Sequence, residues 1–309
     1  MMASKRESNF LEPIFGRLLT AMVTPFDGAG NVDYDAAGKL ARWLAAHGSD
    51  GLVVTGTTGE SATLTRDEKL QMYAAVRAAV GKETKVLAGT GSYDTAETVL
   101  LSVEAEKTGV DGLLVVTPYY NKPSQEGLYA HYKTIAEATT LPVVLYNVPG
   151  RTHVNMEAAT TLRLAQIENI VAIKEASALL AQVGEIILDS PEGFQLYGGA
   201  DEINLPILAL GGVGNISVIS HVIGPDLQKM HQAFFNGDLA TARALHLASL
   251  PMTRAMFSAP SPVPTKTALA MLDVLTGSRV RLPLVDASEK ERAVIHTALK
   301  EYGLLHSQT

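Results

Sequence analysis

One lysine stands out among the residues that could do chemistry, because it directly follows a short apolar run typical of a buried strand. Lys174 comes after Ile170–Ile173, so its side chain begins where a strand leaves the core. An ammonium group near apolar walls loses hydration, and the neutral amine that this favours attacks carbonyl carbons. The position therefore indicates a lysine that forms an imine. Two other interpretations remain open here: a lysine that extends to solvent, and one that is paired with Glu175.

The formation and breakdown of an imine require proton transfers, and hydroxyl groups are the available donors and acceptors. Tyr146 comes at the end of another apolar run and is the main candidate. A phenol alone is a poor base near neutral pH, so we expect the hydroxyl groups of Thr57 and Tyr120 to relay the proton. A role for Tyr146 as an ordinary core aromatic residue is the alternative.

The loop Gly56–Glu60 combines two glycines with two hydroxyl groups and several backbone N–H groups. Such a loop binds a small carboxylate, because the glycines permit tight turns and the N–H groups converge on an anion. It equally fits a turn that caps the helix that Thr65 begins. With Lys174 and Tyr146 at other strand ends, the carboxylate-binding interpretation is favoured.

Residues that could hold a metal ion are sparse. The chain has no cysteine, which excludes disulfides, thiolate nucleophiles and cysteine-bound zinc or iron–sulfur centres. Its eight histidines lie mostly on predicted helices, and none forms a His-x-x-x-His pair. We therefore expect no metal site.

The residues that carry this chemistry follow apolar runs that recur along the chain. Eight runs are rich in Val, Ile and Leu and mostly do not alternate with polar residues, as expected of parallel strands covered on both faces. Stretches with helical periodicity separate them. The runs are Leu18–Val23, Gly51–Val54, Lys85–Ala88, Gly112–Val116, Pro142–Leu145, Ile170–Ile173, Phe194–Tyr197 and Gly212–Ile216.

Helix boundaries are also marked in the sequence. The first helix is predicted over Asp33–His47, and the next two begin at Thr65 and Asp94, each followed three residues later by a glutamate, and end at Gly81 and Gly109. Beyond residue 237 the strand pattern stops. Three helices are predicted there, over Asp238–Met256, Thr265–Leu275 and Ser288–Tyr302, with a proline-rich connection over 259–264.

Eight strands that alternate with helices predict an α/β protein, and two architectures fit: a closed (β/α)8 TIM barrel and an open doubly wound sheet. The strand count favours the barrel, as does the lack of a G-x-G-x-x-G motif after the first strand. In a barrel, reactive groups come from the carboxyl ends of the strands. We predict an N-terminal tail at 1–13, a catalytic barrel at 14–237 and a C-terminal helical extension of the same domain at 238–309.

Charge and hydropathy exclude several classes of partner. The net charge is −7, and no run of Lys and Arg offers a surface for phosphate backbones, so nucleic acid is not an expected partner. The longest apolar runs have about six residues, against the ~20 that a membrane-spanning helix needs. The first residues lack an apolar signal segment. We expect a cytoplasmic protein that does not bind membranes.

Four motifs resemble those of the dihydrodipicolinate synthase family, within the pyruvate-dependent class I aldolases. The resemblance runs from about Phe15 to Leu305 and keeps the order and spacing of the family's motifs. It implies condensation of pyruvate with L-aspartate 4-semialdehyde to 4-hydroxy-tetrahydrodipicolinate, a step toward diaminopimelate and lysine, without an organic cofactor or catalytic metal. The motifs are G-T-T-G-E-S at 56–61, T-P-Y-Y-N-K-P at 117–123, Y-N-V-P-G-R-T at 146–152 and I-K-E-A at 173–176.

The resemblance also implies roles for individual residues. Lys174 forms the Schiff base with pyruvate, and Tyr146 is the general acid and base. Thr57 and Tyr120 complete the proton relay, with Tyr120 supplied by the neighbouring subunit of a tight dimer, usually paired into a tetramer. The implied substrate-binding positions are Thr58 for the pyruvate carboxylate, Arg151 for the semialdehyde carboxylate, and backbone groups at Gly199 and Ile216.

A possible regulatory site for lysine departs from the family pattern at two positions. Members inhibited by lysine carry a histidine and an asparagine where this chain has Lys69 and Tyr93. An ammonium at Lys69 would repel the side-chain charge of the inhibitor, so we predict weak or absent feedback inhibition. The matching residues of this site are Ser61, Ala62, Glu97 and Tyr119.

Two other functions remain open from the sequence. N-acetylneuraminate lyase and 2-keto-3-deoxy sugar acid aldolases share the lysine and the tyrosine. Arg151 in its Gly-Arg-Thr context and the Tyr119–Tyr120 pair favour the synthase. A barrel that binds a small oxo acid without catalysis is the second alternative, and the complete set of lysine, tyrosine, threonine and arginine argues against it.

Overall fold

The computed structural model describes residues 11–305, which form a closed barrel of eight parallel strands surrounded by helices. Each strand pairs with the next along the chain and β8 pairs with β1, so the sheet has no free edge. The predicted TIM barrel is confirmed. The strands are β1 (Leu18–Ala21), β2 (Gly51–Val54), β3 (Lys85–Gly89), β4 (Gly112–Val116), β5 (Val143–Asn147), β6 (Ile170–Glu175), β7 (Gln195–Gly198) and β8 (Gly214–Ser217).

Helices connect the strands and continue after the last one. Helices α10 to α12 form the C-terminal extension, and no helix within residues 11–305 has the length and apolar character needed to cross a bilayer. The helices are α1 (Tyr34–Ala46), α2 (Arg66–Val80), α3 (Thr95–Glu106), α4 (Gln125–Glu137), α5 (Pro149–Thr152), α6 (Ala158–Leu164), α7 (Leu180–Asp189), α8 (Asn204–Leu210), α9 (Ser220–Phe235), α10 (Leu239–Met256), α11 (Val263–Met271) and α12 (Glu289–Glu301).

Helix caps follow the sequence signals closely. The side chain of Thr65 accepts the N–H of Glu68 while the carboxylate of Glu68 accepts the N–H of Thr65, which is a complete capping box. Ser288 and Glu291 form the same arrangement at the start of α12. At the start of α3 only the first half is present, because Asp94 accepts N–H groups without a return bond from the glutamate.

Several boundaries differ from the sequence prediction. Strands β5 and β6 each extend two residues beyond their apolar runs, because the polar residues at their ends stay in the hydrogen-bonded ladder. Helix α3 ends three residues before Gly109. Helix α11 begins at Val263 rather than at Thr265, since Pro264 is tolerated in a first helical turn, and it ends before Asp273, whose φ is 57°.

The described residues pack into three apolar clusters. The first fills the barrel interior and includes Leu19, Val144 and Ala172. The second lies between the strands and helices α1 to α7. The third joins Leu18 of β1 with helices of the extension, including Ile295 of α12. Apolar packing therefore connects the extension directly with the barrel, while the proposed division at residue 237 stays a prediction.

Gly214 lies where β8 meets β1 and closes the barrel. A Cβ there would lie 2.0 Å from the carbonyl oxygen of Arg17, which accepts the N–H of Asn215 across the seam. Because neither backbone can move without breaking the ladder, we expect Gly214→Ala to lower the free energy of unfolding by about 3 kcal/mol or more. Urea denaturation measures this change.

The control is Gly184→Ala on helix α7, where an added Cβ meets nothing within 4 Å. Alanine is the better helix former, so this variant is expected to gain about 0.5–1 kcal/mol. A Gly214→Ala protein as stable as the wild type would show that the seam is not tightly packed.

Candidate active site

The carboxyl ends of the strands surround a cavity of about 310 Å3, a size that accommodates a small molecule. Its walls come from strands β3 to β5, from the loops that follow β2 and β5, and from the C-terminal extension. The lining residues are Thr55, Gly56, Thr57, Glu60, Ser61, Ala62, Thr63, Gly89, Gly91, Leu114, Val116, Tyr119, Tyr146, Val148, Arg151, Thr152, Ser261, Pro283 and Leu284.

Tyr146 and Lys174 are direct neighbours across two strands. The register of β5 and β6 places them opposite each other, and alternation along each strand puts both side chains on the interior face with Val144 and Ala172. The Nζ atom of Lys174 lies 4.3 Å from the centroid of the Tyr146 ring. The two residues are only 4% and 6% exposed, so the amine is buried beside an aromatic wall and a phenol.

Glu175 does not neutralise this lysine. Its carboxylate is buried on the outer face of β6, where it accepts hydrogen bonds from Asn147 Nδ2 at 3.0 Å and Gln182 Nε2 at 3.0 Å. Among residues 11–305, the ammonium of Lys174 forms no salt bridge. The interpretations of Lys174 as a solvent-facing residue or as a partner of Glu175 are therefore wrong.

The loop Gly56–Ser61, which follows β2, forms a tight turn at the cavity wall. Three of its N–H groups close the turn, among them that of Glu60, which donates to the carbonyl oxygen of Thr57 at 3.0 Å. The N–H groups of Thr57 and Thr58 have no acceptor within residues 11–305. Two adjacent amides with two hydroxyl groups form the kind of concave donor cluster that binds an anion.

The predicted residues Thr57, Tyr146 and Arg151 line the same cavity. Arg151 lies on the one-turn helix α5 directly after β5, its side chain is exposed, and it forms no salt bridge within the described part of the chain. A free guanidinium at the rim suits a carboxylate that enters from solvent.

Three predicted binding positions do not line the cavity, namely Gly199, Ile216 and Thr58. Gly199, after β7, touches the lysine, since a Cβ there would lie 2.9 Å from Cε and from Cγ of Lys174. Ile216 is buried in the apolar interior of the barrel. Thr58, which directly follows Thr57 in the loop, is also buried.

Lys174 does not itself line the cavity but lies against Tyr146, which does. Tyr120 is also absent from the cavity wall of its own chain. Its side chain is 90% exposed, and its backbone is left-handed with φ 71°. Its predicted role in a neighbouring subunit therefore stays a prediction.

Three of the six residues of the possible regulatory site for lysine line the cavity, namely Ser61, Ala62 and Tyr119. Tyr93 packs edge to face against Tyr119, with ring centroids 5.3 Å apart, and burial raises the pKa of Tyr119. These residues thus form one continuous surface with the cavity wall.

Lys69 and Glu97 supply the charges of this set. Burial lowers the pKa of Lys69, and the carboxylate of Glu97 opposes that shift. Glu97 also lies 3.8 Å from the guanidinium of Arg66. The carboxylate of Glu97, which would bind the ammonium group of a lysine molecule, therefore already interacts with two basic groups, Lys69 and Arg66.

The sequence did not predict the part of the wall that the C-terminal extension contributes. Ser261, Pro283 and Leu284 all line the cavity. The Oγ atom of Ser261 is buried and has no hydrogen-bond partner within residues 11–305. The proline-rich run 259–264 was the available signal, but it indicated only a stiff connection.

No group of three or more His, Asp or Glu side chains within residues 11–305 is arranged to hold a metal ion. The acid–base groups that line the cavity are hydroxyl groups, the carboxylate of Glu60 and the guanidinium of Arg151, and the amine of Lys174 lies against Tyr146 in the wall. The arrangement suits attack of the amine on a carbonyl carbon, with proton transfer through a phenol.

A closed barrel with a buried lysine beside a tyrosine at its mouth is the architecture of a class I aldolase-type enzyme. The sequence profile of the Dihydrodipicolinate synthetase family matches residues 14–302. The chain therefore belongs to this family, as the motifs predicted.

Individual relatives agree with this assignment over nearly the whole chain. The 4-hydroxy-tetrahydrodipicolinate synthase of Moorella thermoacetica is 55% identical over 94% of this chain and 99% of its own length. The crystal structure of the Cyanidioschyzon merolae enzyme with lysine bound is 44% identical, with a TM-score of 0.92 over 94% and 99% of the two chains. A chloride-inhibited Acinetobacter baumannii enzyme complexed with pyruvate is 36% identical, with a TM-score of 0.91 over 94% and 100%. These names support the synthase over the related sugar acid aldolases.

Gly199 offers a test of how tightly the lysine is held. An added Cβ would meet Cε and Cγ of Lys174 at 2.9 Å and Cβ of Ala176 at 2.8 Å, so Gly199→Ala must displace the amine. We expect the rate of reductive trapping of a 2-oxo acid on Lys174 to fall roughly a hundredfold, since small misplacements of reacting groups are this costly. Mass spectrometry after borohydride treatment measures the rate.

Gly184→Ala again serves as the control and should be trapped at the wild-type rate. Thermal unfolding checks that both variants are folded. Wild-type trapping in a folded Gly199→Ala protein would contradict the described packing around Lys174.

Proposed function

We propose that this enzyme condenses pyruvate with L-aspartate 4-semialdehyde and releases 4-hydroxy-tetrahydrodipicolinate. The observation that carries the proposal is the buried, unpaired amine of Lys174 next to the phenol of Tyr146. The names of the relatives and the pyruvate bound to one structural neighbour support the identity of both substrates.

In the proposed reaction the neutral amine of Lys174 attacks C2 of pyruvate. The resulting carbinolamine loses water and becomes an imine, and removal of a proton from C3 gives an enamine. The C3 atom then forms a carbon–carbon bond with the aldehyde carbon of the second substrate. Attack of the product's own amino group on C2 closes the ring and returns the amine of Lys174. No redox step occurs, and we propose that no organic cofactor or metal is needed.

Proton transfer in each of these steps is assigned to Tyr146. Its ring contacts the lysine, and the hydroxyl group of Thr57 lines the same cavity. A phenol that is connected to other hydroxyl groups can pass a proton without becoming a stable anion. The exposed position of Tyr120 supports its supply to the cavity of a neighbouring subunit, and with it a dimer, paired into a tetramer, as the working form.

The two substrate carboxylates are assigned to different parts of the wall. The amides and hydroxyl groups of Thr57 and Thr58 form a donor cluster suited to pyruvate. Arg151, at the exposed rim, suits the carboxylate of the semialdehyde. Gly199 and Ile216 contribute by shaping the space around the amine.

The proposal is tested by trapping and by condensation together. We expect borohydride treatment with pyruvate to place a stable adduct on Lys174, and none to form in Lys174→Ala. The same preparation should consume aspartate semialdehyde only when pyruvate is present. Cleavage of N-acetylneuraminate or 2-keto-3-deoxy-gluconate without condensation activity would point to a related aldolase, and the lack of any adduct would point to a non-catalytic binding protein.

Feedback inhibition by lysine is expected to be weak or absent. Lys69 and Arg66 both act on the charge of Glu97, so an incoming ammonium meets repulsion and a carboxylate that is already partly neutralised. Lys69→His combined with Tyr93→Asn should lower the concentration of L-lysine needed for half inhibition by roughly tenfold, the effect of removing about 1.4 kcal/mol of repulsion. The initial rate against lysine concentration measures this, and micromolar inhibition of the unmodified enzyme would contradict the prediction.

A further inference from the structure

A buried ion pair connects the loop Gly56–Ser61 with the C-terminal extension. The Nζ atom of Lys266, on helix α11, lies 2.6 Å from Oε1 of Glu60, and the side chains are 1% and 2% exposed. Glu60 is also part of the cavity wall. The proposed carboxylate-binding loop is therefore held from behind by a residue 206 positions away in the sequence.

Every polar atom of this pair is used. Lys266 also donates to the carbonyl oxygen of Arg279 at 2.7 Å, and the second oxygen of Glu60 accepts the N–H of Arg281 at 3.0 Å. The ring of Phe26 covers the pair, with its centroid 4.0 Å from Nζ of Lys266. Both groups are thus enclosed by protein rather than by solvent.

The guanidinium of Arg281 adds further hydrogen bonds close to the end of the loop Gly56–Ser61. It donates to both carboxylate oxygens of Glu68 and to the carbonyl oxygens of Thr63 and Gly30. The hydrogen bonds from Arg281 are the main reason that the pKa of Glu68 is lowered to about 2. Hydrogen bonds therefore fix the loop at Glu60, and they fix the chain again just beyond the end of the loop.

Stability alone does not account for a pair of this kind. Burial lowers the pKa of Lys266 to about 8 even though Glu60 raises it, so the pairing does not fully offset the loss of hydration. Apolar residues of similar volume often replace a buried ion pair without loss of stability. A directional contact that fixes a backbone is one effect of such a pair that apolar packing would not supply.

The ion pair fixes the backbone conformation at Glu60. Glu60 has a left-handed φ of 57°, which is costly for a residue other than glycine, and its N–H closes the turn on the carbonyl of Thr57. The carboxylate of Glu60 is bonded on both oxygens, so the turn cannot relax toward an extended conformation. The unpaired amides of Thr57 and Thr58 are held by the same turn.

We propose that Lys266 is a positioning residue for pyruvate, because its bond with Glu60 holds the amides and hydroxyl groups of Thr57 and Thr58 in the arrangement that binds the carboxylate. This inference rests on the proposed function, since it assigns the loop to one of the two substrates. It does not extend to Arg151, which lies on α5 and forms no hydrogen bond or salt bridge with Glu60 or Lys266.

The test compares Lys266→Met, Glu60→Gln and the double variant, with Lys133→Met as the matched control at the exposed ion pair with Glu137. Lys266→Met alone leaves a buried carboxylate unpaired and should lower Tm strongly. The double variant removes both charges and should regain most of that loss. Thermal unfolding, the KM of each substrate and the amount of borohydride-trapped pyruvate are measured for every protein.

We expect the double variant to raise the KM for pyruvate roughly tenfold, the size associated with weakening one charge-assisted hydrogen bond, while the KM for aspartate semialdehyde changes by less than about twofold. If Lys266 had only a structural role, the variants would contain less active enzyme and kcat would fall. The KM for pyruvate would then not rise relative to the KM for aspartate semialdehyde. Glu60→Gln keeps the size of the side chain but removes its charge and one acceptor oxygen, which weakens the bond that fixes the loop. The same separation of the two KM values, smaller in size, therefore decides the question if the double variant does not fold.

A wild-type KM for pyruvate in a folded variant, or an equal rise of both KM values, would overturn the inference. Lack of a pyruvate adduct in the wild-type enzyme would overturn the proposed function itself, and the inference with it. The two failures are distinct, because the first leaves the wild-type adduct intact.

Discussion

The parallel pairing of β5 with β6 is the constraint on which the site depends. Its register puts Tyr146 opposite Lys174 with both side chains inside the barrel. A shift of β6 by one residue would turn Lys174 to the outer face, where Glu175 is now hydrogen-bonded to Asn147. Closure at Gly214 prevents such a shift, because a barrel without free edges permits no strand to slide alone.

Lys174 and Lys266 are both buried, but their side chains have different neighbours. Lys174 has an aromatic wall and no salt bridge within residues 11–305, which leaves its amine available for a carbonyl carbon. Lys266 is bonded to the carboxylate of Glu60 and to the carbonyl oxygen of Arg279. Lys266 is thus held by two acceptors, whereas Lys174 is the lysine that we propose as the nucleophile, although the two are almost equally buried.

Most of the barrel and the position of Lys174 at the end of a buried strand could be predicted from sequence, because buried parallel strands appear as apolar runs and polar residues follow them. The contribution of the extension could not be predicted. Lys266 belongs to a helical segment in which a lysine usually faces solvent, and only the folded chain brings it to Glu60. Pro283 and Leu284 enter the cavity wall for the same reason, since contacts between distant segments leave no local pattern. Tyr120 was identified by its motif, but a single chain leaves it exposed.

The claim that Lys174 is the nucleophile can be tested most directly by a crystal structure of the enzyme soaked with pyruvate. We predict continuous density from Nζ of Lys174 to C2 of pyruvate, with the carboxylate against the amides of Thr57 and Thr58 and the hydroxyl group of Tyr146 near the imine. Density joined instead to Lys266, or pyruvate bound in the cavity without a covalent bond to Lys174, would contradict it.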